Sequence, residues 1–372
     1  MKKYLLFLLL WPVSSFAQKT YSVSNIPGIA TDYTSLQGAI DSIPPGSTLL
    51  VFPSAKSYGI VSVAKKITIY GTGFLLDQNE APFTAPNQYG VVLDAINFKS
   101  GSDHSFIGGI QIIDVSASGG YPRIELDSVN NVTISRCSFY MQGFGPNLVY
   151  TKNTYNCNFN GCYFVLRQPS AGFDASGGGL YRESGTGSQN LYFTNNIIEN
   201  RGLLSIGLSM NHLVSTENLG NVYFDHNTFV VSLGGSDFSN YTYTNNIFYD
   251  TYPQLVAVPQ SVRMLGAAFN NITNSPALFK GGSGNFLNAN GDEIFAYSTF
   301  GFHSFDQKWA VQDTSFAKHF AADGGEVGAF GGKKSYVLSG IPNLPEIYAV
   351  TVSGDTTARG HVLVRIKARA SN

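Results

Sequence analysis

Five nine-residue segments of this chain align without gaps: Asn131 to Phe139 (NVTISRCSF), Asn156 to Phe164 (NCNFNGCYF), Asn190 to Ile198 (NLYFTNNII), Asn221 to Phe229 (NVYFDHNTF) and Asn240 to Phe248 (NYTYTNNIF). A sixth, His104 to Ile112 (HSFIGGIQI), shares the apolar positions, and the starts are 27, 25, 34, 31 and 19 residues apart. Repetition at this period marks a stacked architecture, because one unit of this size cannot bury its own apolar face. Positions two and four alternate as one face of a strand does, positions five and six are polar bend residues, and position nine returns an apolar side chain inward. Each repeat therefore predicts a strand, a tight bend and a second strand.

Position seven reads Cys137, Cys162, Asn196, Asn227 and Asn246. Stacked coils place like on like, so the asparagines form a ladder bonded coil to coil inside the bend. Cys137 and Cys162 extend it as small buried hydrophobes. Coil spacing permits a disulfide between them by Cα distance, but parallel Cβ vectors disfavour one. With Cys157 the chain has three cysteines, which is no disulfide framework.

Composition agrees with an all-β chain. Forty glycines and only 13% charged residues argue against helices, since glycine costs about 1 kcal/mol per helical position relative to alanine. Twenty-three basic against 24 acidic residues exclude a nucleic-acid binder that works by bulk charge, and 27 Phe with 21 Tyr exclude a disordered chain. The start predicts a signal peptide over residues 1–17: Lys2 and Lys3, the apolar run Leu5 to Leu10, then Ser15-Phe16-Ala17 as a cleavage site. That run is too short to span a bilayer, which takes about 20 residues. Cleavage leaves 355 residues with 21 basic and 24 acidic groups, enough chain for a large core without staples. The expected location is extracytoplasmic.

The repeat with its ladder resembles the right-handed parallel β-helix of the pectate-lyase-like superfamily. Asp32 to Gly46 is similar to that family's N-terminal cap, with Tyr33, Leu36, Ala39, Ile40 and Ile43 on one helical face and Asp32 or Thr31 as the helix cap. Strands follow at Thr48 to Phe52 and Lys66 to Tyr70, and Trp309 to Gly332 resembles the terminal coil of secreted bacterial β-helix proteins. The expected organisation is an N-terminal cap over residues 18–48, a parallel β-helix of nine or more coils over 49–335, and a C-terminal β element over 336–372. In the last, Ile347 to Val352 and Val362 to Ala368 flank Gly354-Asp355 and read as a hairpin.

The resemblance implies a groove on the strand that precedes each repeat. There Arg123, Glu125 and Asp127 alternate with Ile124 and Leu126, so all three charges are expected to face outward. The next coils offer Tyr150 and Lys152, then Tyr181, Arg182 and Glu183, then Ser209 and Asn211. Glu125, Asp127 and Glu183 are candidate Ca²⁺ ligands, while Lys152, Arg123 and Arg182 are candidate bases for abstracting a uronate C5 proton. Tyr150, Tyr181, Ser209 and Asn211 are candidate sugar contacts. The Gly-rich stretch Gln168 to Gln189 is a candidate groove wall. Asp225-His226-Asn227 falls on bend positions and reads as structural, and Asp292-Glu293 with Asn288 and Asn290 reads as a loop without an EF-hand pattern.

The Asn-Thr-Asp, Asp-Asp and Gly-His-Gly strings that similarity to polygalacturonases requires are absent, as is the Arg-x-Pro-x-x-Arg string of classical pectate lyases. Arg365-Ile366-Lys367 lies in the hairpin, away from any coil groove. The expected function is polysaccharide interaction through the outer groove, by a monomer without a membrane span. Two alternatives remain at this stage: a lyase cleaving uronate glycans by β-elimination, and a structural or adhesive surface protein.

Overall fold

The computed structural model describes residues 19–79, 89–113, 123–140, 148–166, 180–183, 188–200, 214–215, 221–231, 241–250, 267–274, 279, 282–296, 304–356 and 362–370. The expected signal peptide lies outside them. Among the described residues, strands form three parallel sheets of ten, eight and six members. Neighbours within a sheet are one coil apart in sequence: Thr133–Ser135 pairs with Phe106–Gly108 and Asn158–Asn160, and Ser138–Tyr140 with Gln111–Ile113 and Tyr163–Leu166. The chain visits each sheet once per turn, which makes it a right-handed parallel β-helix.

The repeat supplies the ten-stranded sheet with its first half and the eight-stranded sheet with its second. The bend between them needs one left-handed residue. Position six provides it in each of the six repeats, as Gly109, Arg136, Gly161, Asn195, His226 and Asn245, with φ between 52° and 68°. Position one is left-handed as well, at His104, Asn131, Asn156 and Asn190. Asparagine recurs at both because its short polar side chain tolerates this conformation.

Position seven is buried and fully bonded. Asn196, Asn227, Asn246 and Asn271 are 0% exposed. The backbone N–H and Nδ2 of Asn196 both donate to Asn227 Oδ1 at 2.9 Å; Asn227 does the same to Asn246, Asn246 to Asn271, and Asn271 to Asn285. Each Nδ2 also reaches a carbonyl of the preceding coil, such as Phe193 O from Asn227 at 2.7 Å. Cys162 continues the column by donating its backbone N–H to Asn196 Oδ1. The three cysteines are buried and free. Inside the tube, Phe159, Phe193, Phe224 and Tyr243 stack with centroids 4.8, 5.0 and 5.2 Å apart.

The N-terminal helix spans Leu36–Ser42 and buries Leu36, Ala39 and Ile40. Its cap is Ser35, not Asp32 or Thr31: Ser35 Oγ accepts from Gly38 N, whereas the Asp32 carboxylate accepts from the N–H and Oγ of Ser22. The hairpin strands are Pro345–Thr356 and Val362–Ala370, so Gly354 and Asp355 lie within a strand rather than at the turn.

The stretch read as a terminal coil does something else. Residues 304–341 form short 3-10 turns that run back along the outside of the bend. Gly328 N donates to Asn245 O, Ala329 N to Thr228 Oγ1, and Phe74 N to Ser339 O. Buried Asp306 anchors the far end, accepting from Asn79 Nδ2, Ser304 Oγ, Tyr336 OH and Ser339 N. Buried Glu199 accepts from Lys308 Nζ at 2.7 Å and from Tyr163 OH. No helix of the described residues is long and apolar enough to cross a membrane.

Candidate functional site

The strand that precedes each repeat belongs to the six-stranded sheet. Register aligns Asn97, Glu125, Tyr150, Arg182 and Ser215 from coil to coil. Glu125 and Tyr150 are half-buried and alternate with the fully buried Ile124, Leu126, Val149 and Thr151, so both project from the outer face. Beside this row Asp127 aligns with Lys152. Lys152 Nζ lies 3.8 Å from Asp127 Oδ2 with both side chains well exposed, and Ser128 Oγ donates to Asp127 Oδ1 at 2.9 Å.

Three expected members do not join the row. Arg123 is only 5% exposed. Arg123 N donates to Leu148 O and Val149 N to Leu180 O, so Arg123 shares the strand-entry position held by the buried Leu148 and Leu180 on the next coils. The pleat begins one residue later, and a side chain buried at that position does not present a base to a substrate on the outer face. Tyr181 and Glu183 pair with Val149 and Thr151, the inward positions, which leaves Arg182 as the residue of that strand in line with Tyr150. Ser209 and Asn211 lie outside the described residues, as does most of Gln168 to Gln189.

The register also separates the candidate Ca²⁺ ligands. Hard cations need six to eight oxygen ligands. Glu125 stands in the row and Asp127 beside it, while Glu183 pairs with Thr151 and is out of register with both; no group of three metal-ligating side chains occurs among the described residues.

The other motifs are local. Asp225 Oδ1 lies 3.0 Å from His226 Nδ1 at the bend, and Asn227 belongs to the buried column. Asn290 caps the single-turn helix Gly291–Ile294 by accepting from Asp292 N, where a loop was expected. On the outer face of the ten-stranded sheet, Tyr192 and Tyr223 stack with centroids 5.0 Å apart and planes 10° from parallel. Both stand at position three of the repeat, a signal that attention to the inward positions passes over.

The coil order places the molecule in the class of right-handed parallel β-helices. No protein-family model matches the chain, and no curated protein matches it. Among solved structures it is similar to the pectate lyase Pel9A, at 12% identity and TM-score 0.44 over 85% of this chain and 97% of that one. It is also similar to a Bacillus subtilis pectate lyase (10% identity, TM-score 0.43, 85% and 89%) and to the pectin methylesterase of Aspergillus niger (11% identity, TM-score 0.36, 83% and 95%).

Proposed function

We propose that the protein is an exported, monomeric β-helix protein that binds polysaccharide along the outer face of its six-stranded sheet. The observation that carries this reading is the aligned row Asn97, Glu125, Tyr150 and Arg182, flanked by Asp127 and Lys152. Successive coils lie about 4.8 Å apart, a spacing that sets amide, carboxylate and aromatic groups beside successive sugars of an extended chain. The row offers hydrogen-bonding groups of both kinds and an aromatic platform, the combination with which a polar, ring-shaped ligand is gripped. Export rests on Lys2, Lys3, the apolar run to Leu10 and the small residues before Gln18.

Binding is favoured over β-elimination because Arg123 is buried and the Arg-x-Pro-x-x-Arg string of classical pectate lyases is absent. The test is affinity electrophoresis of the chain without residues 1–17 in gels containing pectate, alginate or glycosaminoglycan, with absorbance followed at the unsaturated-uronate band. Retardation in at least one gel, lost in Tyr150→Ala, with a flat absorbance trace is the expected result. Unretarded migration in every gel overturns the reading, and rising absorbance replaces it with a lyase.

A further inference from the structure

The outer face of the ten-stranded sheet carries a second groove. Its wall is the part of the C-terminal segment from Gly332 to Asn343, which stands alongside the sheet. Two recesses, of about 620 and 370 Å³, adjoin there and share Asn158, Lys333 and Lys334. The floor runs across six successive coils, from Tyr70 to Tyr223, about 24 Å at the usual strand spacing.

The floor has aromatic rings at both ends and polar side chains between. Tyr70 and Phe106 lie with centroids 5.1 Å apart at one end, and Tyr192, backed by the stacked ring of Tyr223, lines the other. Thr133, Ser135, Asn158 and Asn160 lie between them. These rings are half-buried on a face pointing away from the tube, so the core does not account for them.

The charge of the larger recess is one-sided. Arg136, Lys333 and Lys334 line it and no carboxylate does, in a chain whose acidic residues outnumber its basic ones. Lys333 and Lys334 are exposed and make no ion pair among the described residues, whereas Arg136 is tied down by donating Nη1 to Ile341 O at 2.7 Å. The carboxylates of the smaller recess are engaged: Asp225 faces His226, and Asp323 accepts from Gly325 N.

We propose that this groove is a second binding site, for a linear acidic oligosaccharide of the uronate class. Sugar faces lie on the aromatic pairs, hydroxyls meet Asn158 and Asn160, and carboxylates meet Lys333 and Lys334. The site is on a different sheet from the row of Glu125 and Tyr150 and does not depend on it.

The test is calorimetric titration of the chain without residues 1–17 with hexameric galacturonate, hexameric mannuronate and neutral cellohexaose, at low and high salt. In a Tyr150→Ala background, which removes the other face, an acidic hexamer is expected to bind and cellohexaose is not. Lys333→Ala with Lys334→Ala should weaken binding by roughly tenfold, the yield of two exposed ion contacts, and flatten its salt dependence. Tyr192→Ala should weaken it at both salt concentrations and Tyr192→Phe should restore it. Both lysines are exposed, so the double variant folds. Undiminished binding in that variant, equal affinity for cellohexaose, or no binding of either acidic hexamer in the Tyr150→Ala background overturns the proposal. In that last case, retained binding by the parent chain leaves the six-stranded reading standing.

Discussion

Asp225 Oδ1 sits 3.0 Å from His226 Nδ1 and accepts from Asn245 Nδ2 at the same distance, binding two neighbouring coils at their bends. Burial pushes the Asp225 carboxyl up, but the hydrogen bond and charge of His226, with Asn245 and Thr244, outweigh it and hold the group below its usual 3.8. A depressed carboxylate stabilises the fold fully above its unfolded value, and the contribution disappears as pH falls through the folded one. Urea midpoints should therefore drop on acidification below about pH 4, and Asp225→Asn should remove part of that slope. Parallel pH curves for the two proteins would contradict it.

The asparagine column should be sensitive in its middle. Asn227→Ala takes away the acceptor shared by the N–H and Nδ2 of Asn196, both fully buried. Each stranded donor costs about 1–3 kcal/mol, so a loss of roughly 2–5 kcal/mol by urea denaturation is expected. Asn285→Ala, at the partly exposed end, should cost less.

Native thiols should be inert. Burial pushes Cys137 up to about 12, Cys157 up to about 11 and Cys162 well above its ordinary value, which suppresses the reactive thiolate. Titration with an aromatic disulfide should count no thiol in the folded protein and three in denaturant; fast native labelling would contradict the burial.

Lys152→Ala should leave stability within about 1 kcal/mol, because its pair with Asp127 is long and exposed. A change in glycan retardation by this variant then reports on the face itself. A fall in urea midpoint equivalent to several kcal/mol would instead make Lys152 a structural residue.

Asp306 should be far less tolerant. It is 0% exposed and accepts from Asn79, Ser304, Tyr336 and Ser339. Asp306→Ala strands those donors and should cost about 3–5 kcal/mol, with limited proteolysis cutting first in 304–341.

The bends and inward faces of the coils were legible because they are local: a left-handed position six, a repeated position seven and apolar positions two, four and nine fall within nine residues. The sequence also located the strand bearing Glu125, Tyr150 and Lys152. It misassigned Arg123, since the start of a pleat depends on where the preceding turn releases the chain, and nothing within residues 123–127 records that Leu148 and Leu180 take the same position. For the candidates Tyr181, Arg182 and Glu183 only the register between coils shows that the middle one is in line with Tyr150. The groove walled by Lys333 and Lys334 escaped notice because its two sides are about 200 residues apart in sequence and meet only through long-range contacts such as Arg136 with Ile341.

The returning segment 304–341 alters the mechanics of the molecule. A solenoid whose coils touch only their neighbours can fray from either end, one repeat at a time. Here a single strap links the coil of Asn79 to those of Arg136, Thr228 and Asn245. Opening an end then requires detaching the strap from coils far away, so the column resists peeling and tends to come apart all at once.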